Sequence, residues 1–146
     1  MKRIRVILPV FLLFAITPCF AHHLAVVANK DNHVADMAPS QLARIYRLES
    51  RKWQDGRDIV LVLHRDSPGE VATLAHLTHM SAEEIKAFIT THKDSVTLAD
   101  SDGDVLRIVE SMPGAIGFVD VRSINDQIRV VKIGGKLPME DGYLSH

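Results

Sequence analysis

The sequence has few of the residues that mark disulfide-stabilised, nucleic-acid-binding or membrane-spanning proteins. Its 146 residues include one cysteine, so no disulfide can form within the chain. Lys and Arg number 17 against 18 Asp and Glu, which is not the basic surplus that binding to nucleic acid requires. After residue 21 no apolar run approaches the roughly 20 residues of a membrane-spanning helix. These absences predict a small domain stabilised by apolar burial alone.

The N-terminus has the pattern of a cleavable signal peptide, predicted to span residues 1–21. Three basic residues lie within the first five, an apolar run follows from Val6 to Ile16, and Ala21 stands at the expected cleavage point. An 11-residue helix rises about 16 Å, roughly half the thickness of a bilayer core, so a membrane anchor is disfavoured. We therefore expect an exported protein.

Cleavage after Ala21 would leave a single domain at residues 22–146. It would remove the sole cysteine, Cys19, and three of the 17 cations, so the formal net charge would fall from −1 to −4. A chain of this length can bury a core of its own. No internal repeat or low-complexity stretch suggests a second domain.

Apolar runs and helix start signals alternate along the domain. Strands are predicted at residues 24–28, 58–63, 115–119 and 127–133. Helices are predicted to begin at Pro39, at Pro68, after Ser81 and at Asp104. Strands separated by helices indicate an α/β fold. The tail from Lys136 is predicted to lie on the surface.

Three segments resemble the periplasmic phosphate-binding protein family, the substrate receptors of phosphate ABC importers. They are residues 24–56, with the helix at Pro39 and the turn Lys52-Trp-Gln-Asp-Gly56, residues 59–69, and Met112-Pro-Gly-Ala-Ile-Gly-Phe-Val119. The tail 142–145 is similar to the family's ending. The resemblance implies a periplasmic location and a role in transport.

Members of the family are about twice as long and have two lobes hinged around the anion. The resemblance therefore implies a single lobe with a mixed, mostly parallel sheet of about four to five strands flanked by helices. The first-lobe ligands of the family have no counterpart here. The family's Ser-Gly-Thr loop is approximated by residues 67–70, where Glu70 replaces a hydroxyl donor and is expected to repel a dianion.

Arg65, Ser67 and Gly69 are the predicted oxyanion-binding residues. Arg65 follows a buried strand and precedes a helix start, where free backbone amides and the helix dipole favour an anion. Ser67 could donate its hydroxyl, and Gly69 allows close approach of the ligand. In the alternative reading, Arg65 pairs with Asp66 or Glu70, and Ser67 only caps the helix.

The remaining candidate residues are predicted to be structural. Trp53 is expected to pack in a turn, and Gly114 and Gly117 to satisfy backbone geometry. Metal binding is weakly indicated for His76 with His79, and for His22 with His23 at a new N-terminus. Three aspartates at positions 100, 102 and 104 match a helix N-terminus better than a calcium loop.

The sequence predicts a binding module without a cofactor. It contains no set of nucleophile, base and acid at a spacing that would indicate an enzyme. Phosphate or another small oxyanion is the expected ligand, bound weakly because one lobe encloses only half of an anion. The alternative is a ligand-free adaptor that contacts a protein partner in the cell envelope.

Overall fold

The computed structural model describes residues 23–144, so the predicted signal peptide and His22 lie outside the described residues. The elements within this range are β1 (Leu24–Asn29), β2 (Asp36–Met37), α1 (Pro39–Tyr46), β3 (Val60–His64), α2 (Pro68–Thr78), α3 (Ala82–Thr91), β4 (Val96–Ala99), α4 (Asp102–Ser111), β5 (Ala115–Asp120), β6 (Ile128–Val130) and β7 (Lys132–Ile133). None of these helices is long and apolar enough to cross a membrane.

The main sheet has five strands in the order β4-β3-β5-β1-β6. Strand β3 pairs in parallel with β4 and β5, whereas β1 pairs antiparallel with β5 and β6. Strands β2 and β7 form a small separate parallel pair. Two of the four pairings in the main sheet are parallel and two are antiparallel, so the predicted mixed α/β sheet is confirmed.

Three details of the predicted strand pattern are wrong. The two-residue strand β2 was not predicted. Strand β4 was not predicted, because it has four residues and only its two end residues, Val96 and Ala99, are buried. The predicted strand 127–133 is two short strands, β6 and β7, separated at Val131. The N–H of Val131 donates to Val26 of β1, whereas the next N–H, of Lys132, donates to Ala35. The chain therefore changes partner within one residue.

The two faces of the sheet are covered by different helices. Helix α4 packs its buried residues Val105 and Val109 on one face, against Val27 of β1. Helices α1, α2 and α3 pack on the other face, where Val26 of β1 contributes to the larger core cluster. Successive side chains of β1 therefore lie on opposite faces of the sheet, as in any β-strand.

Gly114 and Gly117 were predicted to satisfy backbone geometry at a turn, but neither has a positive φ, and what each position requires is room for a closely approaching neighbour. A Cβ at Gly114 would overlap the carbonyl oxygen of Asp58. The carbonyl oxygen of Gly114 accepts a hydrogen bond from Trp53 Nε1 at 3.0 Å. Trp53 is also packed against the core, which agrees with its predicted structural role.

Tyr143 joins the end of the chain to the sheet. Its hydroxyl accepts a hydrogen bond from the N–H of Val26 at 3.0 Å and donates one to the carbonyl oxygen of Val131 at 2.6 Å. Burial raises the pKa of Tyr143 to about 12. Tyr143 and Leu144 are buried, so the prediction of a surface tail from Lys136 is wrong for these two residues. The hydrogen bonds and apolar contacts of Tyr143 hold it inside.

Replacement Tyr143→Phe is expected to lower the free energy of unfolding by about 1–3 kcal/mol, because it leaves a buried N–H and a buried C=O with one partner fewer. Tyr46→Phe is the matched control, since the buried hydroxyl of Tyr46 has no hydrogen-bond partner among the described residues. Urea unfolding of the three proteins measures both effects. Equal losses for the two variants would contradict the role of the Tyr143 hydroxyl.

Candidate functional site

Two helix starts meet at one edge of the sheet. Strands β3 and β4 are parallel neighbours, so their carboxyl ends lie at the same edge, and each strand leads into a helix, α2 or α4. The N-terminal residues of both helices line a cleft of about 600 Å³. Open α/β sheets commonly bind ligands at such carboxyl edges. This cleft is the candidate site.

A serine caps each of the two helices. The Oγ of Ser67 accepts a hydrogen bond from the N–H of Glu70 at 3.3 Å, and the Oγ of Ser101 accepts one from Asp104 at 3.1 Å. The first-turn amides of Gly69 and Asp102 make no hydrogen bond to any described residue. Unpaired amides at a helix start carry partial positive charge. The cleft therefore has two electropositive backbone groups.

Arg65 is exposed beside the cleft but is not among the residues that line it. Its Nε donates to Asp100 Oδ1 at 3.1 Å, so it pairs with neither Asp66 nor Glu70, the partners that the alternative reading proposed. Its two Nη groups make no hydrogen bond to the described residues. Ser67 caps α2, as that reading expected. Arg65 therefore retains the donor fork that suits an oxyanion.

The cleft is also lined by carboxylates, which were not recognised as one group from the sequence. They come from three separate segments and are Asp66, Asp100, Asp102 and Asp120. Two of them have an arginine partner, Asp100 in Arg65 and Asp120 in Arg122. Asp102 Oδ2 accepts hydrogen bonds of 2.9 Å from the N–H of Asp120 and the hydroxyl of Ser123. Asp120 pairs with Arg122 at 2.9 Å. The local field is thus mixed rather than uniformly positive.

Glu70 is buried, with 2% of its surface exposed. Its carboxyl group accepts a hydrogen bond from the N–H of His64 at 3.2 Å. Desolvation raises the pKa of Glu70 to about 8, a shift that the nearby charge of Asp102 reinforces and the His64 hydrogen bond opposes. The group is therefore mainly protonated at neutral pH, and the expected repulsion of a dianion is largely removed there. No sequence signal indicated that this glutamate would be buried.

Of the candidate metal-binding residues, His76 lies in the last turn of α2, and His79 is the residue that ends this helix. Residues 23–144 contain no group of three or more His, Cys, Asp or Glu side chains that could hold a metal ion. His23 is exposed, and its proposed partner His22 lies outside this range. Asp102 and Asp104 stand in the first turn of α4, as the helix-start interpretation predicted. Asp104 also pairs with Arg107 at 2.7 Å.

The family model described as PBP superfamily domain matches residues 17–143. The phosphate-binding protein PstS of Bacillus subtilis is 28% identical over 120 residues, which cover 79% of this chain and 37% of that protein. The chain therefore spans less than half the length of this curated relative.

Solved structures show the same fold. One from Clostridium perfringens, described as a phosphate ABC transporter substrate-binding protein with bound phosphate, is 25% identical with a TM-score of 0.64, covering 77% of this chain and 45% of that one. PstS from Borrelia burgdorferi is 15% identical with a TM-score of 0.65, covering 80% and 49%. These matches confirm the resemblance inferred from the sequence motifs. The chain belongs to the PBP superfamily, and its fold corresponds to about one lobe of the two-lobed members.

Proposed function

We propose that this chain is an exported binding module that holds phosphate, or a closely related oxyanion, in the cleft between the N-termini of α2 and α4. The observation that carries this proposal is the convergence of two helix starts on one cleft beside Arg65. In this role Arg65 donates from its Nη groups, the Gly69 amide donates from the backbone, and Ser67 orders the helix start. The ligands named for its relatives support the same class of anion.

The carboxylates of the cleft favour one oxyanion over others. An ionised Asp66 or Asp100 can only accept hydrogen bonds, so an oxyanion next to either must bring a proton of its own. Hydrogen phosphate carries such a proton and sulfate does not. The same carboxylates and the single lobe limit affinity, and a millimolar dissociation constant corresponds to only about −4 kcal/mol.

Calorimetry with phosphate, sulfate and a small dicarboxylate tests the proposal. We expect weak, saturable binding of phosphate, less heat with sulfate, and loss of roughly tenfold or more in affinity for Arg65→Ala, because a charged hydrogen bond is removed. Arg107→Ala is the matched control, since Arg107 is an exposed arginine on α4 that does not line the cleft.

Absence of heat with all three anions, together with identical behaviour of Arg65→Ala and the wild type, would reject anion binding. The adaptor hypothesis would then take its place. It is favoured by the ion pair that joins Arg65 to Asp100. A tagged protein that recovers no specific partner from envelope extract would count against that second hypothesis.

Export is part of the proposal, since the relatives are phosphate-binding transport receptors. We expect the mature protein recovered from the periplasm to begin at His22, because Ala21 fits the requirements of the cleavage point. Intact-mass measurement of the periplasmic protein checks this. A mass that includes residues 1–21 would contradict cleavage, and absence of the protein from that fraction would contradict export.

Glu70 makes the stability of this lobe depend on pH. Its pKa is raised from the ordinary value of 4.5 to about 8 in the folded state. Between these values the folded state binds the proton more tightly than the unfolded chain, so stability must fall as the pH rises. Glu70→Gln cannot ionise and should lack this slope. At about pH 8.5 we expect the variant to exceed the wild type by on the order of 3 kcal/mol.

Urea unfolding at about pH 5 and about pH 8.5 measures this difference. The two proteins should be similar in stability at the lower pH, where Glu70 is protonated in the folded wild type. Glu83→Gln, a change at an exposed glutamate in the first turn of α3, controls for the loss of a carboxylate at a helix start. Parallel pH profiles for the wild type and Glu70→Gln would contradict the raised pKa.

A further inference from the structure

A second groove, of about 710 Å³, shares no lining residue with the cleft between α2 and α4. It lies between the segment 32–37, helix α1 and the turn 50–55 that contains Trp53. Its volume falls within the roughly 300–1,000 Å³ that small-molecule sites occupy. None of the predicted oxyanion residues contributes to it. We call it the Trp53 groove.

Asn32, which lines the Trp53 groove, has a buried side-chain donor without a partner among the described residues. Asn32 is 5% exposed. Its Oδ1 accepts a hydrogen bond from the N–H of Val34 at 3.1 Å, which fixes the orientation of the side-chain amide. Its Nδ2 has no hydrogen-bond partner among the described residues. A buried donor left unpaired is destabilising, so a ligand acceptor that reached Nδ2 would stabilise the protein.

Arg44 supplies a charged donor to the same groove. It lies in the last turn of α1 and is exposed. Within residues 23–144 its guanidinium makes no hydrogen bond and no ion pair. An unpaired arginine presents a planar set of donors that matches a carboxylate. Arg44 and Asn32 together therefore favour a ligand that accepts hydrogen bonds and carries negative charge.

The other charged groups of the groove already have partners. Lys52 pairs with Asp58 at 2.7 Å. Asp55 pairs with Arg57 at 3.3 Å. Asp36 Oδ1 accepts a backbone N–H at 3.0 Å from the turn after β7. Arg44 is the one cation of the groove without an anionic partner among the described residues, whereas Asp36 has only a neutral N–H donor and keeps its negative charge. The groove therefore accepts one negative group at Arg44 and disfavours a dianion.

Of the ten other lining residues, six are apolar and four are polar. Trp53, Ile45 and Ile59 belong to or pack against the core and also line the groove. The indole Nε1 of Trp53 is already bonded to Gly114, so its ring offers apolar surface rather than a donor. Burial of an apolar body on this surface would be favourable, because it removes apolar area from water. Inorganic phosphate has no apolar part that could be buried on this surface.

We propose that the Trp53 groove binds a small organic acid with one carboxylate and an apolar or aromatic body. The carboxylate lies between the Arg44 guanidinium and Asn32 Nδ2, and the body packs on Trp53 and Ile59. This site is separate from the proposed phosphate cleft, and either one can exist without the other.

Fluorescence of Trp53, the only tryptophan in the chain, reports directly on the groove. Phenylacetate should change this fluorescence in a saturable way, whereas the uncharged phenylacetamide should bind about tenfold more weakly or not at all. Arg44→Gln should weaken phenylacetate binding by about tenfold or more. Asn32→Asp keeps the acceptor to Val34 but replaces the donor by a negative charge, so it should abolish binding.

Arg107→Gln, a change outside the groove, should bind phenylacetate with the affinity of the wild type. Millimolar phosphate should not displace phenylacetate from the wild-type protein. Thermal unfolding verifies that each variant is folded. If Asn32→Asp does not fold, the comparison of Arg44→Gln with the wild type decides the question, because Arg44 is exposed. Amide chemical shifts from nuclear magnetic resonance provide a second readout. The proposal is overturned if neither readout saturates with phenylacetate, if phenylacetamide or Arg44→Gln gives the wild-type affinity, or if phosphate competes.

Discussion

The contact between α4 and the middle of the sheet depends on Gly117 having no side chain. Gly117 lies in β5, the central strand, opposite Val27 of β1 and Val62 of β3. A Cβ there would lie 2.9 Å from Val105 Cγ1 and 3.3 Å from Val62 Cβ, and close-packed interiors do not tolerate such approaches. The position of α4 sets where its N-terminus lies. One half of the candidate cleft therefore depends on this packing contact.

The buried strands and the helix starts could be predicted from the sequence, because both have local signals. Strands β1 and β5 are continuous apolar runs, and α3 begins with a capping box formed by Ser81 and Glu84. Strand β4 lacked such a signal, since half of its residues are only partly buried. The strand order could not be predicted either, because it depends on contacts between segments distant in the chain. The family resemblance, and not periodicity, supplied the single-lobe architecture.

The candidate site was predictable only where its residues are consecutive. Residues 65–69 follow one strand, so their position at a helix start could be inferred from the sequence. Asp100, the partner of Arg65, is 35 residues away on another strand end. The burial of Glu70 likewise depends on how α2 packs, which no local pattern reports. The Trp53 groove was not predicted for the same reason, since Asn32, Arg44 and Trp53 come from three segments.

The position of β1 has a consequence for the order of folding. Its strand partners are β5 and β6, and its Val26 bonds to Tyr143, 117 residues later. Such non-local pairing is slow to form. Strand β1 therefore cannot complete its contacts until nearly the whole described chain is available. Until then β5 can pair with β3 but has an open edge. An open edge can also accept a strand from another molecule. This topology therefore favours exchange of β1 between two copies only at high protein concentration.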